Sequence, residues 1–116
     1  MNPNPIATAP QPAGATPADS RALRVALGQF ATGVTVITTR APDGSFVGLT
    51  ANSFAALSLE PPLITWALRL ASQQLPIFRA VDRFVVNVLA ESQVEVSRLF
   101  ASGADDKFSQ VGHAEN

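Results

Sequence analysis

A chain of 116 residues with a formal net charge of −1 has room for one domain at most, and offers no electrostatic case for nucleic acid or an anionic membrane surface. It has no cysteine and a single histidine, His113, which excludes disulfides, thiolate sites, a cysteine nucleophile and a multi-histidine metal site within this sequence. No apolar run approaches the length of a bilayer span, and the lack of cysteine fits a cytoplasmic protein.

Residues 1–18 hold five of the nine prolines and no charged side chain. With no basic start and no continuous apolar stretch, they read as a disordered tail rather than a secretory signal. The domain then occupies residues 19–116. Asp19 or Ser20 is suited to cap a helix. Leu23, Ala26, Leu27 and Phe30 follow at helical spacing, on a face of the kind that packs on a sheet, and Gly33 is the expected terminator. Residues 34–40 are β-branched, with Val34, Val36 and Thr38 facing one way and Thr35, Ile37 and Thr39 the other, which predicts a strand. Ala41-Pro42-Asp43-Gly44-Ser45 predicts a turn, and residues 46–51 the returning strand of a hairpin.

From Val47 to Pro62 small and hydroxylated residues replace bulky ones. Gly48, Ala51, Ala55 and Ala56 leave room for something to lie against the backbone, while Thr50, Asn52 and Ser53 carry donors and acceptors on short stems. Such a segment can hold a flat polar ligand through main-chain groups. On the residues alone it reads as a strand and a polar turn that hold nothing, since short polar clusters between strands are usually loops. Glu60-Pro61-Pro62 breaks any helix. Residues 63–70 predict a third strand containing Trp66, which suits core or dimer interface better than a stacking platform. Residues 72–80 predict a short helix capped by Ser72. Residues 84–89 predict a fourth strand, and residues 91–101 a helix with Val94, Leu99 and Phe100 on its apolar side. The residues from Ser109 onward show no pattern. Hairpin-joined strands with short helices at the edges predict a mainly β protein, a small antiparallel barrel. Ser53 and Ser72 have no base beside them in the sequence, and no acid–base pair or nucleophile stands out.

The segments Leu27-Gly28-Gln29-Phe30, residues 32–39, Gly48 through Pro62, residues 84–89 and Asp106-Lys107-Phe108, in this order and at these spacings, resemble the flavin reductase family. The likeness is to the small reductase components of two-component flavin-dependent monooxygenases. The resemblance implies an FMN-binding split β-barrel, a Greek-key antiparallel barrel that pairs as a homodimer. It implies FMN or FAD as cofactor, NADH or NADPH as hydride donor, and a partner monooxygenase fed by diffusible reduced flavin. Little is then asked of the protein beyond positioning two cofactors, in keeping with the lack of a catalytic residue. By the resemblance, Phe46, Val47, Gly48, Leu49 and Thr50, with Asn52 and Ser53, line the isoalloxazine ring. Ala67, Leu68 and Arg69 form a second wall, and Ser72 and Gln73 meet the flavin phosphate. Leu99 and Phe100 lie on the ribityl or dimer side, and Lys107 is a phosphate or pyrophosphate contact. Each also has a plain structural reading, as helix cap, core residue or solvated charge.

Two departures stand out. Family members continue past Gly112 with further strands, one of which carries a Gly-Asp-His motif on the nicotinamide side. The expectation is therefore a C-terminally incomplete barrel with a partial flavin site and an incomplete nicotinamide site. The alternative function is a flavin-binding module, or a remnant that dimerises, without turnover. At the phosphate loop, Gln73 and Gln74 replace a more polar or basic pair, which leaves FMN against FAD open.

Overall fold

The computed structural model describes residues 19–113. The expected tail over residues 1–18 and the last three positions lie outside the described residues. The chain divides into two units, Met1–Ala31 and Thr32–Asn116.

The described part of the first unit is helix α1 (Ser20–Leu27) and the turn after it. Asp19 is the cap, its Oδ1 accepting from the Ala22 N–H at 2.7 Å. Gly28 ends the helix, donating its N–H to Arg24 O, so the terminator is Gly28 and not Gly33. The helical spacing over Leu23, Ala26 and Leu27 is real, yet none of the helix is buried. Leu27 is 66% exposed and Phe30 79%.

The second unit is built on strand β1 (Thr35–Arg40), the middle strand of a three-stranded sheet. Strand β2 (Phe46–Ala51) returns antiparallel, registered from Arg40 opposite Phe46 to Thr35 opposite Ala51. The turn between them works as expected. Gly44 takes φ +90°, a conformation open to glycine, and Asp43 Oδ1 accepts from both the N–H and the hydroxyl of Ser45. Strand β5 (Val85–Val88) pairs with the other edge of β1, Thr35 opposite Val88. β1 owes its central place to β-branched side chains on both faces. Thr35, Val36 and Ile37 are all at most 3% exposed. The buried Thr35 hydroxyl is satisfied by Ala51 O at 2.7 Å. Asn87 Nδ2 donates across the sheet to Val36 O at 2.9 Å.

A second, two-stranded sheet joins β3 (Ala55–Ser58) and β4 (Leu63–Thr65), with a register shift between Ala56 and Ser58. The sequence reading placed a loop where β3 lies, because alanines conceal a strand. It also ran the third strand on to residue 70. β4 stops at Thr65, and two residues on the Ala67 N–H donates to a side chain, Ser53 Oγ at 2.9 Å, in place of a strand partner. Trp66 instead packs edge-on against Phe78 and Phe84, with centroids 5.2 and 5.7 Å away.

Helix α2 (Leu75–Ala80) is shorter than expected, and Gln74 rather than Ser72 occupies its N-cap position. Ser72 lies one turn earlier, its Oγ accepting the Gln74 N–H. A 3-10 turn (Glu91–Gln93) leads into α3 (Val94–Ala101). The helix ends where Ser102 donates its N–H and hydroxyl to Leu99 O, and Lys107 Nζ donates to Phe100 O at 3.2 Å. A further 3-10 turn (Phe108–Gln110) follows.

The fold is thus mainly β with short helices, in a split-barrel arrangement that does not close among the described residues. On the sheet face carrying Val36, Thr38, Val85 and Asn87 lies a hollow of about 1200 Å³, which Phe100 and Phe108 also line.

Candidate functional site

β2 is an edge strand. An antiparallel strand turns the N–H and C=O of alternate residues toward its neighbour, so the remaining ones on β2 point away from β1 and are available to other groups. The structure brings three of the sequence-predicted segments to this strand and its continuation.

The first junction is Ser53. Its Oγ accepts the Ala67 N–H at 2.9 Å and sits 3.4 Å from Ala67 O, tying the turn after β2 to Ala67, Leu68 and Arg69. The second is Gln74, whose Nε2 donates to Gly48 O at 3.1 Å and brings the Ser72–Gln73 loop to the middle of β2. The third is α3. Thr50 Oγ1 donates to Ser97 O at 2.6 Å, and the Phe100 ring covers Gly48. A Cβ built on Gly48 would stand 2.8 Å from Phe100 Cε1 and 3.2 Å from Thr38 Cγ2. The room left by this glycine is therefore filled by Phe100, which corrects the reading of Gly48 as space for a ligand.

Several predicted contacts prove to be committed within the protein. The Thr50 hydroxyl spends its proton on Ser97 O. Lys107 Nζ lies on the C-terminal carbonyl of Phe100, 5.9 Å from that residue's ring centroid, and burial lowers the lysine's pKa. Leu99 is half-buried and its carbonyl holds Ser102. Phe46 opens β2 inside a ring cluster with Phe108 and His113, both at 5.5 Å, and with the Arg40 guanidinium 4.8 Å above it. Val47 and Leu49 are half-buried on the strand. Asn52, Ala67, Arg69 and Gln73 are exposed, and the Asn52 and Gln73 carboxamides have no hydrogen-bond partner among the described residues. Of the predicted set, only Phe46 and Phe100 also line the large hollow, so the hollow and the convergence on β2 are different places.

Sequence reasoning passed over Gln74 as a site residue. Its Nε2 is engaged, but its Oε1 is buried with no donor among the described residues. An unsatisfied buried acceptor costs about 1–3 kcal/mol. Turning the carboxamide over gives no relief, because it would set Oε1 against Gly48 O, acceptor to acceptor. Its place beside Gln73 was the available signal. The outward main-chain groups of the edge strand and the orphaned Gln74 acceptor suit a polar group that donates a hydrogen bond.

Comparison with known proteins gives one consistent answer. Residues 27–116 match the model of the flavin reductase like domain. The reductase component of a flavin-dependent trigonelline monooxygenase from Acinetobacter baylyi is 45% identical over 96 residues, covering 83% of this chain and 31% of that protein. The reductase subunit HsaB of a flavin-dependent monooxygenase from Mycobacterium tuberculosis is 48% identical over 93 residues, covering 80% and 49%. The solved structure of the Streptomyces globisporus NADH:FAD oxidoreductase SgcE6, in complex with NAD and FAD fragments, superposes with a TM-score of 0.74 at 36% identity, covering 81% and 56%. The chain thus spans about half or less of the length of the curated relatives named here.

Proposed function

The chain belongs to the flavin reductase-like family, and from that premise we propose that it is the flavin-binding part of an NAD(P)H:flavin oxidoreductase that supplies reduced FMN or FAD to a separate monooxygenase. The observation that carries the reading is the convergence of residues 46–53, 67–69 and 72–74 on one edge of β2, held by the Ser53–Ala67 and Gln74–Gly48 hydrogen bonds. A bound flavin would supply the redox chemistry, accepting a hydride from NADH or NADPH at N5.

The protein's own part is positional. β2 offers outward main-chain groups to the ring edge, where fixed donors need no reorganisation as charge develops. Ser53 fixes the angle between the ring-lining strand and the wall at Ala67, Leu68 and Arg69. Arg69 and Ser72 close one tight turn, Ser72 donating its N–H to Arg69 O, with Gln73 next in the chain, and this segment is the proposed phosphate end. Of the mapped phosphate contacts, Lys107 fits least, since it is engaged at the end of α3. The Streptomyces relative with NAD and FAD fragments, and the relatives named as monooxygenase reductases, support the choice of cofactors and partner. The exposed apolar residues of the β3–β4 region, Leu57, Leu59, Leu63 and Ile64, support a homodimer, and a diffusible nicotinamide substrate fits a cytoplasmic setting.

The test is anaerobic. The purified chain is mixed with excess FMN or FAD, NADH is added, and the visible absorbance of oxidised flavin is followed. Bleaching that depends on protein concentration is expected. Flavin binding without bleaching would leave a flavin-binding module without turnover. Dimerisation without flavin binding would refute the cofactor assignment.

A further inference from the structure

The Gln74 carboxamide is fixed at one end and unsatisfied at the other. Nε2 is held by Gly48 O at 3.1 Å, in the middle of β2, and Oε1 is buried without a donor among the described residues. The Nε2 bond dictates the direction of the amide, so Oε1 is an acceptor whose orientation is already set. A leucine or methionine would fill similar volume without an orphaned oxygen, and nothing else in the described fold uses that atom. The residue as a whole is only half-buried, so the carboxamide lies close to the surface at the β2 edge.

We propose that Gln74 is a ligand-reading residue of the β2 edge, with Oε1 accepting a hydrogen bond from the bound flavin while Nε2 keeps its hold on Gly48 O. The inference rests on the flavin reading above and adds a specificity-determining contact to it. Oxidised flavin has two kinds of donor that can serve, the imide N–H of the ring and the ribityl hydroxyls. Either would relieve the orphaned oxygen. An edge whose other groups are main-chain atoms would then gain a side-chain test for a donor at one fixed point.

The experiment is a set of equilibrium titrations of the full chain, read by quenching of flavin fluorescence. The ligands are riboflavin, 3-methylriboflavin, which lacks the imide N–H, and lumiflavin, which lacks the ribityl hydroxyls. Each is titrated into the wild-type chain and into Gln74→Met, whose folding is checked by thermal unfolding. One analogue is expected to bind the wild-type chain roughly 3- to 10-fold more weakly than riboflavin, the value of one hydrogen bond. In Gln74→Met that preference should vanish, with riboflavin brought down to the analogue. The analogue that is penalised identifies the donor. If the wild-type chain binds riboflavin and both analogues alike, the proposal falls, whether or not the variant folds. It also falls if the preference persists unchanged in Gln74→Met, since the donor then meets another group. If riboflavin does not bind the wild-type chain at all, the flavin reading itself falls and takes this inference with it.

Discussion

Replacing Gly48 by alanine puts a methyl group where a ring already stands. The new Cβ would lie 2.8 and 2.9 Å from Phe100 Cε1 and Cδ1. Carbon atoms in contact prefer about 3.5–4.0 Å, so the overlap is about 0.6–0.7 Å or more on two ring atoms at once. The ring has little freedom to yield. Phe100 is 3% exposed and edge-packed on Phe108 at 5.2 Å, and its carbonyl is held by Lys107. Overpacking of this kind costs about 1–3 kcal/mol. Alanine recovers about 0.5–1 kcal/mol of backbone entropy relative to glycine in a strand. The net expectation is a loss of about 1–2 kcal/mol, or a fall in Tm of roughly 5–15 °C for a domain of this size. Urea unfolding followed by circular dichroism measures the first figure and a thermal melt the second. Phe100→Leu in the same background removes the clashing ring atoms, so the double variant should lose clearly less than the sum of the two single losses. A Gly48→Ala chain as stable as wild type, or strictly additive losses, would refute the assignment of this glycine to helix packing.

Three further outcomes are expected. Ser53→Ala removes the acceptor of the Ala67 N–H; it should cost about 1 kcal/mol in urea unfolding and weaken riboflavin binding, because two walls of the site lose their tie. Thr50→Val keeps the shape of the side chain but removes the side-chain donor to Ser97 O; about 1 kcal/mol should be lost, with amide exchange in α3 accelerated ahead of exchange in β1. Lys107 is the only lysine in a chain with no tyrosine and no cysteine, so alkaline stability reports on it almost alone. Burial lowers its pKa in the folded chain below the ordinary 10.5, so the unfolded chain binds more protons over the interval between the two values. Stability should therefore rise with pH as it passes from the folded pKa toward 10.5, and the rise should be absent in Lys107→Met. A wild-type profile that falls through this interval would contradict the burial of the ammonium group.

Elements whose causes are local can be read directly along the chain. Asp19 caps α1 because its short carboxylate reaches the Ala22 N–H. The hairpin of β1 and β2 follows from β-branched alternation on either side of Pro-Asp-Gly, and its register runs from Arg40 and Phe46 to Thr35 and Ala51. The helix of residues 91–101 and the segments that carry the site were legible in the same way, and so was the family resemblance.

What needed the tertiary structure were the long-range bonds that spend side chains. Beyond Thr65, where β4 stops, Ser53, fourteen positions before Ala67, takes the Ala67 N–H in place of a strand partner. β3 appears among alanines because β4 pairs with it. Gly48 looked like space for a ligand until Phe100, brought over β2 by α3, was found in that space. Thr50 and Lys107 looked like free polar groups, and each holds a backbone carbonyl of α3 instead. Gln74 looked like one of a pair of loop glutamines and proved to close the middle of the β2 edge. Periodicity and capping act over one or two turns of chain, so they can be read along it. Which donor meets which acceptor across 26 positions, as with Gln74 and Gly48, depends on how the elements come together, and only the folded chain decides it.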